Sequence, residues 1–313
     1  MLNKQQNAAV LAALSRNDWE QVFRMIDSGE ITVGDLVTEP GGNEFPLTDA
    51  AYESGNYEAL RRLIDLGADV NRHPFGYALI VRAAGAGRTE LVELLIKAGA
   101  DVNVVLESDD GNTTALMSAT KYPDIVKLLL AAGADPKALD DDGCSAMYPA
   151  SGGKPEVIQM LLDAGCPVTG ECLHMPVYRR ELDLVQQLLA QKPDVNKGFP
   201  HSGYVMKGEK PLVIAVEKNM EDIRTPPPPR SKRLGIIKAL LEAGADVNVR
   251  ALSSFGRTPL LMAVEQRDAE IARILVQAGA DPNEQVLIKT GRKTSAFELA
   301  RSRGLEELVA AMQ

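Results

Sequence analysis

The chain has few of the residues that usually announce chemistry or a heavy core. Aromatics make up only 4% of its 313 residues, with one Trp among them, so its interior must pack through Leu, Ile, Val and Ala. Three cysteines, Cys144, Cys166 and Cys172, form no evident disulfide framework, and a reducing cytosol is the expected compartment. Positive charge is in deficit: 34 Lys and Arg stand against 43 Asp and Glu, a formal net charge of −9. That balance disfavours nucleic acid or an anionic membrane as the main partner. No apolar run approaches the length needed to span a bilayer, and Met1-Leu2-Asn3-Lys4-Gln5-Gln6 has no apolar signal segment. A hydrophobic content of 45% with 25% charged residues otherwise fits an ordinary soluble protein.

Catalytic and ligand-binding motifs are also wanting. The three histidines, His73, His174 and His201, stand far apart and make no metal-binding helix pattern. Cys166, Cys172 and His174 are near one another, but a Cys-x5-Cys-x-His spacing matches no zinc pattern. Gly85-Ala86-Gly87 lacks the strand that precedes a dinucleotide loop, and Gly152-Gly153-Lys154 lacks the remaining phosphate-loop residues. Asp140-Asp141-Asp142-Gly143 begins like a calcium loop, yet Pro149 stands where the bidentate Glu is needed. The expectation is no catalytic residue, no metal and no cofactor.

What the chain does have is a phrase that returns. Gly67-Ala68-Asp69-Val70-Asn71 recurs at Gly99-Ala100-Asp101-Val102-Asn103, Gly133-Ala134-Asp135-Pro136, Gly244-Ala245-Asp246-Val247-Asn248 and Gly279-Ala280-Asp281-Pro282-Asn283. Degenerate copies stand at Gly165-Cys166-Pro167-Val168 and Lys192-Pro193-Asp194-Val195-Asn196. The glycines are 32 (67 to 99), 34 (99 to 133) and 35 (244 to 279) residues apart. Upstream of the phrase lies a second one, clearest at Thr258-Pro259-Leu260-Leu261-Met262-Ala263 and varied at Lys210-Pro211-Leu212-Val213-Ile214-Ala215, Phe45-Pro46-Leu47 and Glu171-Cys172-Leu173-His174. Between the two, Ile271, Ile274 and Leu275 show the spacing of an apolar helix face, and Gly279 stands at a helix C-cap. Pro259 falls at the first helical turn, where a missing N–H costs little.

Together these phrases resemble the ankyrin repeat, a pair of helices of about 33 residues marked by Thr-Pro-Leu-His and Gly-Ala-Asp. The resemblance runs through almost the whole chain, with residues 253–283 its best single match. It implies an all-α repeat fold, an α-solenoid of helix pairs with β-hairpin finger loops. Nine units are expected, at about residues 7–33, 45–71, 77–103, 113–137, 145–169, 171–196, 210–248, 258–283 and 294–313. Residues 1–313 then form one solenoid, with 7–33 and 294–313 as cap repeats and Trp19 inside the first cap. The resemblance also implies that fingers and first helices make a concave face for protein partners.

Departures from the repeat are where individuality is expected. The stretch Cys166–Glu171 is too short for a full finger and predicts a notch, beside which residues 197–210 make a long finger bearing Phe199, Tyr204 and Met206. Those aromatics either meet a partner or fold back and plug the notch. A proline-rich insertion at 225–233 splits the seventh unit and serves as a polyproline ligand or a stiff spacer. Acidic fingers (Asp109, Asp110, Asp141) and basic ones (Lys197, Lys207, Arg257) either steer a partner or are solvated tips. The candidate binding residues are Asp109, Asp110, Tyr122, Asp141, Tyr178, Arg179, Phe199, Tyr204, Phe255 and Arg257. The expected function is non-enzymatic binding of an unidentified protein by a monomer, as an inhibitor or immunity-type protein. The alternative is a scaffold, adaptor or host-directed effector that uses the polyproline loop.

Overall fold

The computed structural model describes residues 2–72, 78–106, 112–198, 208–218, 228–252, 256–287 and 293–313. Two compact units account for them, one holding residues 1–146 and 153–166, the other residues 147–152 and 167–313.

The first unit opens with α1 (Lys4–Ser15) and α2 (Trp19–Asp27). A hairpin of β1 (Leu36–Thr38) and β2 (Glu44–Pro46) follows, paired antiparallel with Val37 opposite Phe45. The pairs α3 (Leu47–Glu53) with α4 (Tyr57–Asp65) and α5 (Leu79–Gly85) with α6 (Thr89–Lys97) come next. A second hairpin, β3 (Val105–Leu106) and β4 (Thr113–Thr114), leads into α7 (Ala115–Ser118) and α8 (Pro123–Ala131). The short α9 (Met147–Ala150) groups with the second unit, whereas α10 (Pro155–Asp163) belongs to the first. First helices pack on first helices, α5 on α7, and second on second, α6 on α8 and α8 on α10.

The second unit continues with a 3-10 turn at Gly170–Leu173, then α11 (His174–Tyr178), α12 (Leu182–Leu189), α13 (Pro211–Val216) and α14 (Arg230–Glu242). After these come α15 (Pro259–Glu265), α16 (Ala269–Gln277), the hairpin β5 (Val286–Leu287) with β6 (Lys293–Thr294), α17 (Ala296–Ser302) and α18 (Glu306–Ala311). The α11, α13, α15 and α17 helices pack in file. Their close approach requires small residues, and Ala215, Ala263 and Ala300 are 0% exposed.

Each residue of the recurring phrase has a distinct task. The glycine takes a left-handed conformation after its helix, with φ +89° at Gly67 and +83° at Gly99, which a side chain resists. The following N–H then reaches back into the last turn, as Ala68 does to Leu63 O at 3.0 Å. The aspartate closes a turn on the amide two residues on: Asp101 Oδ1 accepts from Asn103 N at 2.9 Å. The asparagine reaches forward to the next phrase. Asn103 Nδ2 donates to Gly133 O at 3.0 Å, and its Oδ1 accepts from Asp135 N at 2.7 Å. Asn71 makes the same two bonds to Gly99 O and Asp101 N, and Asn196 to Gly244 O and Asp246 N. A ladder of asparagine clasps therefore binds phrase to phrase within each unit.

The seventh helix pair shows how an insertion is accommodated. Arg230–Arg233, placed in the insertion by the sequence reading, instead forms the first turn of α14, and Arg233 is buried. The last carbonyls of an α-helix have no donor within their own helix. At the C-terminal end of α13 side chains supply donors: Arg180 donates to Ile214 O and Glu217 O (3.2 and 2.7 Å), Arg233 Nε to Ala215 O (3.1 Å), and Gln266 to Val216 O (2.9 Å). A second Arg233 bond also reaches Val216 O. Arg180 holds a positive φ of 59° at the turn position where Gly55 and Gly87 also take a positive φ.

Candidate partner-binding surface

In the first unit, three first-of-pair helices and one hairpin line an open cavity of about 770 Å³. Its apolar lining is Leu11 and Leu14 of α1, Phe45 of β2 and Ala50 of α3, most of it half-buried. Its charged lining is Glu39 from the hairpin turn, Asp49 and Glu53 from α3, and Arg82 from α5. Asn7 fixes the hairpin to α1, donating to Thr38 O and accepting from Thr38 N, both at 2.8 Å. Arg82 is committed: it pairs with Glu53 and lies over the Tyr52 ring, 4.3 Å from its centroid.

Asp49 is the anomaly of this site. Homologous backbone bonds set the register of the repeats: Asn56 N to Ala51 O, Arg88 N to Ala83 O and Asp268 N to Ala263 O. Two residues before those alanines stand Asp49, Val81 and Leu261, the last two buried and apolar. The same bond, Glu181 N to Pro176 O and Leu305 N to Ala300 O, puts His174 and Glu298 at this position in two further repeats. His174 is hydrogen-bonded at both ring nitrogens and the exposed Glu298 accepts from Ser295 N, whereas the buried Asp49 Oδ1 has no hydrogen-bond partner among the described residues. Burial pushes its pKa up from 3.8 to about 6; Arg82 opposes that rise and Glu53 adds to it. Tyr52 is likewise held above its usual value by burial.

The residues singled out from sequence are scattered among other tasks. Tyr122 lies in the α7–α8 turn with its ring over Gly87, where an added Cβ would fall 2.4 Å from Tyr122 Cε1. The residue is half-buried, with its ring against the neighbouring turn. Arg179 caps α11 and donates to Gly152 O, with Tyr178 half-buried beside it. Asp141 is exposed and accepts from Asn112 Nδ2 at 2.7 Å, tying one loop base to the next. Arg257 pairs with Glu265 of α15, and the half-buried Glu217 nearby has its pKa raised by burial. Asp109, Asp110, Phe199, Tyr204 and Phe255 lie outside the described residues.

The notch expected after Cys166 is filled. Gly170, Glu171, Cys172 and Leu173 are all buried, and Glu171 meets Lys197 at 3.4 Å. Only glycine fits at position 170, since a Cβ there would lie 2.1 Å from Asp194 O. His174 sits between Glu171 O and Glu209 O at 2.9 and 3.2 Å, and burial lowers its pKa. The three cysteines are buried, and none is in a disulfide. Among the described residues, no cluster of three or more His, Cys, Asp or Glu is placed to hold a metal, and no helix is long and apolar enough to cross a membrane.

Antiparallel helix pairs joined through hairpins, with asparagine clasps between phrases, define a helical repeat protein of the protein-binding class. Comparison with known proteins assigns the family. A family model described as ankyrin repeats (3 copies) matches residues 9–106, 47–140, 80–172 and 173–286, and the chain belongs to the ankyrin-repeat family. The human protein phosphatase 1 regulatory subunit 27 is 41% identical over 73 residues, 23% of this chain and 46% of that protein. Human B-cell lymphoma 3 protein is 29% identical over 185 residues, 49% of this chain and 39% of that protein. The chain thus matches less than half the length of either relative. Among solved structures, the human ASB11 ankyrin repeat domain aligns with a TM-score of 0.48 at 23% identity, covering 77% of this chain and 96% of that one. The ankyrin repeat domain of Bcl-3 aligns with a TM-score of 0.48 at 25% identity, covering 78% and 99%.

Proposed function

We propose that this chain is a non-enzymatic module that seats a partner protein against its first-of-pair helices and hairpin bases, and regulates that partner by occluding it. The observation that carries this reading is the cavity among α1, α3, α5 and the β1–β2 hairpin, which combines apolar walls with charged groups at a size that takes several side chains. Ankyrin repeats generally mediate protein–protein interaction, and one relative is named as a regulatory subunit, which favours occlusion over scaffolding. Three buried cysteines outside any disulfide support a reducing compartment such as the cytosol.

The test is affinity capture from source-cell lysate with the full chain beside a variant carrying Leu11→Glu and Leu14→Glu, its fold checked by circular dichroism. A protein retained by the native chain in one-to-one stoichiometry and lost by the folded variant is the expected result. Partners retained equally by both would refute this surface, and no specific partner at all would refute the binding role.

A further inference from the structure

The cavity also contains information about what enters it. We propose that it takes a basic side chain, lysine or arginine, presented by a partner polypeptide together with apolar neighbours. This inference rests on the binding role proposed above and adds the chemistry of the occupant.

Charge is the first argument. Three carboxylates, Glu39, Asp49 and Glu53, line the cavity against one cation, Arg82. That cation is already engaged by Glu53 and by the Tyr52 ring. A carboxylate oxygen buried without a donor is costly, and Asp49 Oδ1 is in that state. An incoming ammonium or guanidinium would supply the missing donor and offset the excess negative charge, whereas an anion would meet three like charges.

Position is the second argument. The register gives the position of Asp49 to buried hydrocarbon in two repeats, Val81 and Leu261, and to polar groups in two others, His174 and Glu298. Each of those polar groups has its partner within the chain: His174 lies between Glu171 O and Glu209 O, and Glu298 accepts from Ser295 N. Asp49 Oδ1 is buried without one, so its donor is left to an occupant of the cavity.

Shape is the third. Leu11, Leu14 and Phe45 give the cavity an apolar wall beside its carboxylates. A lysine or arginine has this same division, an aliphatic stem ending in a charged head. The volume of about 770 Å³ exceeds one side chain and leaves room for flanking aliphatic residues.

A phage-displayed dodecapeptide library selected on the immobilised full chain tests the proposal. Enriched sequences should carry Lys or Arg flanked by aliphatic residues. A synthetic peptide from that set should bind Asp49→Asn about ten- to a hundred-fold more weakly, the range spanned by a charged hydrogen bond. The substitution is isosteric, and an unchanged circular dichroism spectrum will show that the fold is kept. Glu53→Gln provides a second variant, expected to weaken binding by releasing Arg82 into the cavity. Enrichment without basic residues, or peptides indifferent to both substitutions but displaced by the lysate partner, would overturn this inference and leave the binding role standing. Failure to select any peptide, together with no captured partner, would overturn both.

Discussion

Replacing Asn103 by alanine tests the physical account of the repeat phrase. Asn103 makes two hydrogen bonds to the following phrase, to Gly133 O at 3.0 Å and from Asp135 N at 2.7 Å. A net hydrogen bond contributes about 1 kcal/mol, and water can replace part of it at this exposed loop, so the loss should be about 1–2 kcal/mol. The backbone bond from Asn103 N to Asp101 survives, and so does all helix packing, so the damage should fall on the coupling between neighbouring repeats. A chain of this kind need not unfold in one step, so native-state hydrogen exchange is the better assay. The Asp135 amide is a direct reporter, because Asn103 Oδ1 is its acceptor. Its exchange should quicken about five- to thirtyfold in Asn103→Ala, corresponding to that free energy. Asn103→Asp keeps the acceptor and loses the Nδ2 donor, so it should cost about half as much. Unchanged Asp135 exchange in Asn103→Ala, with unchanged stability to urea, would refute the clasp as a source of coupling.

Other positions are expected to respond with different signs. Asp49→Asn should stabilise the chain by about 1–2 kcal/mol at pH 7.5, measured by urea denaturation, with the gain vanishing near pH 4. The sign follows from a folded pKa near 6 above the unfolded 3.8: the folded state binds more protons between those values, so stability falls as pH rises through that window. Gly87→Ala meets both a positive φ of 70° and the Tyr122 ring, and should lower stability by about 2–3 kcal/mol in thermal melts. Arg180→Met leaves buried carbonyls of Ile214 and Glu217 without their donor and should cost about 2–4 kcal/mol; a neutral result would remove the side-chain cap of α13.

Much of the fold was legible because the same physics is written several times. One Gly-Ala-Asp is weak, but repetition made the left-handed glycine, the aspartate turn and the helix pair readable together. At two of the phrases Thr258 and Ser295 cap α15 and α17, accepting from Leu261 N and Glu298 N at 3.3 and 3.1 Å. The binding surface was less legible, because its parts have no period. Asn7 clasps a hairpin 31 residues away, and nothing local marks it. Arg233 looked like part of a solvated basic run, whereas its partners are the carbonyls of Ala215 and Val216, 18 and 17 residues earlier. Tyr122 looked like a displayed aromatic until the glycine of the preceding turn supplied its seat. Aligning the phrases sets Asp49 against Val81 and Leu261 but also against His174 and Glu298, so only the missing partner of its buried oxygen, a property of the folded chain, distinguishes it.

The end of α13 has a consequence for how such a molecule can be altered. In most repeats the turn between paired helices both joins them and satisfies their last carbonyls, so its length is constrained by two duties. Here Arg180, Arg233 and Gln266, side chains from elsewhere in the unit, donate to those carbonyls. A fluorophore, an epitope or a whole domain inserted between residues 218 and 228 is therefore expected to leave these ties on α13 in place.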